Sequence, residues 1–167
     1  MALNIQRGKR HMPSKTGLYG PEGGGKSTYA SNWPSPIFLD TEEGTHHLDV
    51  ARVAIRSWNE LRAAIAEIGS KPSEFKTVVI DSADWAERLC IDSICDEHRK
   101  KSIEDFGYGK GFTHVAEAFS KLLTQCDALV GVGLHVVFVA HSKVVRTSPP
   151  DITDGYDRWE LKLSKQV

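Results

Sequence analysis

The stretch that most constrains this chain is Gly20-Pro21-Glu22-Gly23-Gly24-Gly25-Lys26-Ser27. It matches G-x-x-x-x-G-K-[ST] at every fixed position, the spacing of a loop whose inward-turned backbone N–H groups cradle a polyphosphate. Such a concave backbone favours residues without a Cβ, and Gly23, Gly24 and Gly25 supply them. Lys26 is placed to reach the β- and γ-phosphates, Ser27 to offer its hydroxyl to Mg²⁺, and Thr28 continues a helix whose N-terminus adds partial positive charge. The flanks agree: Thr16 to Tyr19 reads as a strand, and residues 27–32 read as a helix that Pro34 ends. A glycine-rich surface turn with an unrelated lysine is the bland alternative. It leaves the full match in a strand–loop–helix context unexplained.

A loop of this kind sits in an α/β domain, and 167 residues with 40% hydrophobic and 26% charged content can build one such domain around its own core. No run approaches a membrane span. Residues 1–10 lack the apolar core of a signal peptide, so a cytoplasmic protein is expected. Cys90, Cys95 and Cys126 lack C-x-x-C spacing and fall on apolar positions of predicted helices, which reads as reduced packing residues. A net charge of −1 excludes a wholly basic nucleic-acid coat, so any DNA contact is local. Residues 1–12, with Arg7, Lys9 and Arg10, read as a basic solvated arm or as a contact to nucleic acid or a neighbouring subunit, ahead of one domain over 13–167.

Along that domain, Ile37-Phe38-Leu39 predicts a buried strand whose exit carries Asp40, Glu42 and Glu43. Ligands bind at that edge of an open parallel sheet, so any of the three could face the γ-phosphate, or the run is an ordinary polar exit. Val53 to Ile55 predicts a further strand. Trp58 to Ile68 predicts a helix, capped by Ser57 with Glu60 completing a capping box and stopped by Gly69. Thr77-Val78-Val79-Ile80-Asp81 is an apolar β-branched run ending in aspartate, the form in which a carboxylate holds Mg²⁺. Many buried strands end this way, but following a complete phosphate loop it nominates Asp81 as a metal ligand.

A helix from Trp85 to about Ile103 is predicted next, then Phe106 to Phe112, a loop of glycines and aromatics that either stacks on a base or merely links helices. Thr113 to Leu129 predicts an amphipathic helix packing through Val115, Phe119, Leu122, Leu123 and Cys126. The buried strand Leu134 to Ala140 then delivers His141, Ser142 and Lys143 to the ligand edge. Val144 to Asp157 reads as a flexible loop containing Pro149 and Pro150, and 158–164 alternates like a strand.

The segments GPEGGGKST, FLDTEEG, VVIDSAD, FGYGKGF, VVFVAHSK and YDRWELKLSK together resemble the phage ATP-binding proteins of the RecA-like P-loop class, some of which anneal or recombine single strands. The resemblance implies a RecA-like α/β fold with a mostly parallel central sheet, ATP and Mg²⁺ as cofactors, single-stranded DNA as partner, and a place in the host cytoplasm. A homo-oligomer and a single-strand-binding protein are further implied partners. It makes Glu42 the general base and His141 the polar link between γ-phosphate and DNA. It assigns 142–157 to a DNA-binding loop, with Lys143, Arg146 and Arg158 on phosphates and Tyr156 stacking. Lys162 and Lys165 fall where a neighbouring subunit's cationic finger would arise. Proteins of this class usually continue past the Trp159 strand, so a minimal or truncated form is expected. Two other readings stay open: a small-molecule or nucleotide kinase, though without an arginine-rich lid, and a nucleotide-dependent binding module that does not hydrolyse.

Overall fold

The structure is a computed structural model that describes residues 8, 12–71, 74–148, 154–165 and 167. The basic run Arg7, Lys9 and Arg10 and the pair Pro149-Pro150 lie outside the described residues.

The strands are β1 (Lys15–Gly20), β2 (Pro36–Asp40), β3 (Ala51–Ala54), β4 (Thr77–Asp81) and β5 (His135–Thr147); β2, β4 and the first part of β5 are short apolar runs, whereas β1 and β3, at the two edges, are more polar and more exposed. They pair in the order β1-β5-β4-β2-β3, every pair parallel, and β6 (Tyr156–Leu161) adds antiparallel to the far part of β5. Helices α1 (Lys26–Ala30), α2 (Trp58–Ser70), α3 (Ala83–Glu97) and α4 (Lys110–Gly131) make the crossovers and flank the sheet. This is the mostly parallel, helix-flanked α/β architecture expected of a P-loop domain. Among the described residues no helix is long and apolar enough to cross a membrane.

The pleat sorts side chains between two core layers. Ile37, Leu39, Val78, Ile80 and Val136 face α2, α3 and α4, where Leu61, Ile65, Cys90, Val115, Phe119 and Leu122 close over them. The alternate residues Phe38, Val79, Val137 and Val139 face the other side, against Ala30 of α1. Strands buried on both faces read as continuous apolar runs, which is why 37–39, 77–80 and 134–140 were legible. The three cysteines are free and buried, and burial pushes the Cys90 and Cys126 thiols up to about 12, as packing residues require.

Several expectations are corrected. Gly69 does not stop α2, which runs on to Ser70; a Cβ there would lie 3.0 Å from Leu129 Cδ2, so this glycine permits close approach of α4. Ser57 caps α2 by accepting from Glu60 N at 3.2 Å, but the Glu60 carboxylate accepts from Arg56 N at 2.8 Å instead of closing the box on Ser57. Helix α3 ends at Glu97, and Ile103–Phe106 forms a separate 3-10 turn. Leu123 is exposed, because α4 turns it away from the sheet. The loop expected over 106–112 shrinks to Gly107, Tyr108 and Gly109, all with positive φ, since α4 begins at Lys110. Residues 144–147 are strand, not loop: β5 continues past the sheet edge because β6 supplies its hydrogen-bonding partners, Ser142 facing Leu161 and Thr147 facing Tyr156.

Candidate functional site

The parallel register sets Gly20 at the end of β1 opposite His141 of β5, and Asp40 at the end of β2 opposite Asp81 at the end of β4; Asp81 in turn pairs with Val139, two residues before His141. Above them lies a cavity of about 270 Å³ lined by Gly23 to Thr28, Asp40, Glu42, Gly44, His47, Asp81 and His141. Residues remote in sequence meet here because strand ends in a parallel sheet all open to the same side.

The phosphate loop has the curvature its glycines predict, with Gly23 at φ 70 and Gly25 at φ 72, the latter capping α1. Gly24 N donates to Pro21 O at 3.3 Å, and a Cβ on Gly24 would crowd that carbonyl. Lys26 is buried, and its Nζ donates to Pro21 O at 2.7 Å, so the ammonium already lies folded within the loop. Glu22 points outward to Lys162 Nζ at 3.5 Å.

Asp81 is the least satisfied group of the site. The Ser27 hydroxyl lies beside it, yet its Oδ2 is buried with no hydrogen-bond partner among the described residues. Burial pushes its carboxyl above the ordinary aspartate range, and the nearby Asp40 and Glu42 charges add to that, against the opposing influence of the Ser27 hydroxyl. A hydroxyl beside an under-satisfied carboxylate fits a Mg²⁺ ion, which takes oxygen ligands and keeps several waters or phosphate oxygens of its own. Among the described residues no three acidic, histidine or cysteine side chains cluster as a complete metal cage, so such an ion would lean on the nucleotide.

The acidic exit of β2 resolves into three different environments. Asp40 accepts from the N–H groups of Glu42 and Gly44 at 3.2 Å and of Thr45 at 3.1 Å, and from the Thr45 hydroxyl; it anchors the 41–45 turn. Glu43 is turned away to Arg56 at 3.3 Å. Glu42 lines the cavity, its Oε2 accepting from Ser82 Oγ at 3.3 Å and lying 4.0 Å from His141 Nε2. Thr41 locks this arrangement to β4, its hydroxyl donating to Ser82 O and accepting from Ser82 N, both at 2.9 Å.

His141 is held by a residue that sequence reasoning missed. Asp84, in the first turn of α3, accepts the His141 backbone N–H on Oδ1 at 2.9 Å and meets the ring Nδ1 on Oδ2 at 2.9 Å. Burial works against the Asp84 charge, but the two bonds from His141 outweigh it and hold the carboxyl below its ordinary range. An acidic residue in a first turn reads in sequence as a complement to the helix dipole, which masks this second use. His47 also lines the cavity, and as an isolated loop histidine it carries no sequence signal.

The DNA-contact candidates lie on the β5–β6 ribbon. Lys143 Nζ donates to Leu163 O at 3.2 Å, Arg146 pairs with Asp157 at 3.3 Å, Arg158 pairs with Glu160, and Tyr156 is exposed. The ribbon is tied to the site, since Lys162 N donates to His141 O at 2.8 Å. Lys162 reaches Glu22 of its own chain.

Comparison with known proteins adds three findings. The SPbeta prophage-derived uncharacterized protein YorG of Bacillus subtilis (strain 168) is 24% identical over 130 residues, covering 75% of this chain; that match spans 40% of YorG's length. The crystal structure of the RadB recombinase is similar with a TM-score of 0.46 and 20% identity, over 86% of this chain and 68% of that one. Residues 12–167 match the AAA domain family, and the chain therefore belongs to this family of P-loop NTPases.

Proposed function

We propose that this protein binds and hydrolyses ATP with Mg²⁺ and couples turnover to single-stranded DNA in phage recombination or annealing. The observation that carries the hydrolysis reading is the buried Oδ2 of Asp81, unpartnered among the described residues, beside Ser27 in one cavity with Lys26, Glu42 and His141. In this reading Gly20 to Thr28 wrap the triphosphate, and Lys26 exchanges the Pro21 carbonyl for phosphate oxygens. Ser27 and Asp81 would hold the metal, which supplies charge neutralisation at the β- and γ-phosphates. Glu42 orients a water for in-line attack on the γ-phosphorus; the bond to the bridging oxygen breaks and the water's proton passes to the carboxylate. Glu42→Gln keeps the shape and removes the acceptor charge, so turnover is expected to fall by about 100-fold with ATP affinity retained. Unchanged hydrolysis in that variant overturns the assignment.

The coupling to DNA rests on chain continuity, because His141 ends the parallel part of β5 and Ser142 begins the ribbon bearing Lys143, Arg146, Tyr156 and Arg158. ATP turnover measured with and without single-stranded DNA at two salt concentrations tests it: stimulation that weakens with salt is expected. A second reading, a nucleotide-dependent module for a protein partner, is favoured by one feature of the ribbon. Val144 and Trp159 face each other across it, 53% and 58% exposed, while Arg146 and Arg158 already carry carboxylate partners. Nucleotide binding without DNA stimulation favours that reading.

A further inference from the structure

A histidine at the end of a central strand can face a triphosphate in two chemically opposite ways. With hydrogen on Nε2 it is a donor; with hydrogen on Nδ1 its Nε2 carries a lone pair and is an acceptor. Which form is present follows from what the other nitrogen touches. Here the other nitrogen touches a carboxylate. Asp84 Oδ2 lies 2.9 Å from His141 Nδ1, and Oδ1 is already occupied by the His141 backbone N–H at 2.9 Å. An ionised carboxylate only accepts, so Nδ1 must be the protonated nitrogen of the neutral ring. Both side chains are almost fully enclosed, 11% and 9% exposed, so water does not compete for these bonds. The second link is the two-point grip itself. By holding the backbone as well as the ring, Asp84 fixes the ring's orientation relative to β5, and Nε2 comes to face Glu42 Oε2 at 4.0 Å. That gap is too long for a direct hydrogen bond and suits one water touching both atoms.

We propose that Asp84 is a positioning residue that holds His141 as the Nδ1–H tautomer, so that His141 Nε2 and Glu42 together accept hydrogen bonds from the attacking water. The consequence is chemical. Two acceptors take both O–H groups of the water and leave its oxygen lone pair free to attack phosphorus. A donor at Nε2 would bind that lone pair and oppose attack. When the oxygen–phosphorus bond forms and the bond to the bridging oxygen breaks, the proton passes to Glu42, and His141 keeps the water aligned. This role rests on the hydrolysis reading, whereas the tautomer is a property of the nucleotide-free protein.

Asp84→Asn separates the alternatives without emptying the site. The amide oxygen can still accept the His141 backbone N–H, but the NH₂ group can only donate to Nδ1, which moves the ring hydrogen to Nε2. The measurement is a long-range ¹H–¹⁵N spectrum of ¹⁵N-histidine-labelled protein at about pH 8, above the ordinary histidine range, with His141 assigned by its loss in His141→Gln. The wild type is expected to show the Nδ1–H pattern and Asp84→Asn the Nε2–H pattern. In parallel, kcat falls by about 100-fold in Asp84→Asn while the affinity for a non-hydrolysable ATP analogue is unchanged. In a His141→Gln background, adding Asp84→Asn costs no further turnover, because the ring through which Asp84 acts is already gone. An Nε2–H ring in the wild type, an unmoved tautomer in Asp84→Asn, retained kcat, or a further loss in the double variant overturns the proposal. A wild-type protein that binds ATP and does not hydrolyse it overturns the hydrolysis reading instead, and the spectrum still decides whether Asp84 sets the tautomer.

Discussion

Strand β5 passes through two different environments. From Val136 to Val139 it lies between β1 and β4, with Val136 in one core layer and Val137 and Val139 in the other, and β1 accompanies it on to His141. From Ser142 to Thr147 it pairs only with β6, and Val144 is about half exposed. Both halves contain valines, although the outer half also carries Ser142, Lys143, Arg146 and Thr147. What differs is the number of neighbours that remove those valines from water, and with it the stabilisation each supplies. The buried half leads to His141, which lines the cavity; the ribbon is the more exposed part.

This contrast gives an ordered set of expectations. Largest is Lys26→Ala at the buried end. Removing a charge-assisted phosphate contact costs about 3 kcal/mol, roughly 100-fold in ATP affinity, and isothermal titration reads it. Arg146→Ala on the ribbon leaves that affinity unchanged; if it weakens ATP binding comparably, the two halves are not functionally separate. Next is Val137→Ala, expected to lower stability by about 2 kcal/mol through lost burial and a residual cavity, measured by urea denaturation. Smaller, and opposite in sign, is Asp81→Asn. Relieving a buried, under-satisfied carboxylate raises the stability of the nucleotide-free protein by about 1 kcal/mol. Because the folded pKa of Asp81 is raised, its ionisation costs stability above that value and nothing below the ordinary aspartate range. The Tm gain is therefore present at neutral pH and disappears on acidification. Asp84 behaves inversely: its carboxyl is lowered, so its contribution is present above the ordinary aspartate value and is lost as pH falls through the lowered one. Smallest is Val144→Ala, expected within about 0.5 kcal/mol of wild type. A cost equal to that of Val137→Ala would erase the contrast.

The same contrast explains what was legible beforehand. Buried parallel strands announce themselves as continuous β-branched runs, so β2, β4 and the first half of β5 were found within a residue or two, as was the loop from Gly20 to Ser27. The outer half of β5 was read as loop because Pro149, Pro150 and Gly155 dominated the local pattern. Its strand character comes from a ladder with β6, which pairs Ser142 with Leu161 and Thr147 with Tyr156. By pattern alone Asp40, Glu42 and Glu43 are alternatives, and only the family resemblance singles out Glu42. They part company only through contacts with Thr45, Arg56, Ser82 and His141.

By itself, then, the sequence determined the phosphate loop, the strand that ends in Asp81, the central strand that leads into His141, and the α/β class that joins them. Those depend on spacing and periodicity, which are local properties of a chain. Tertiary structure alone decided that Asp40 and Glu42 line the cavity while Glu43 turns away to Arg56, that Asp84 grips His141, and that the ribbon's arginines carry their own carboxylate partners. The first two depend on distances between residues far apart in the chain, set by the parallel register and the crossover helices, and the Arg146–Asp157 pair on the antiparallel β5–β6 ladder; Arg158 and Glu160 lie two residues apart on one strand.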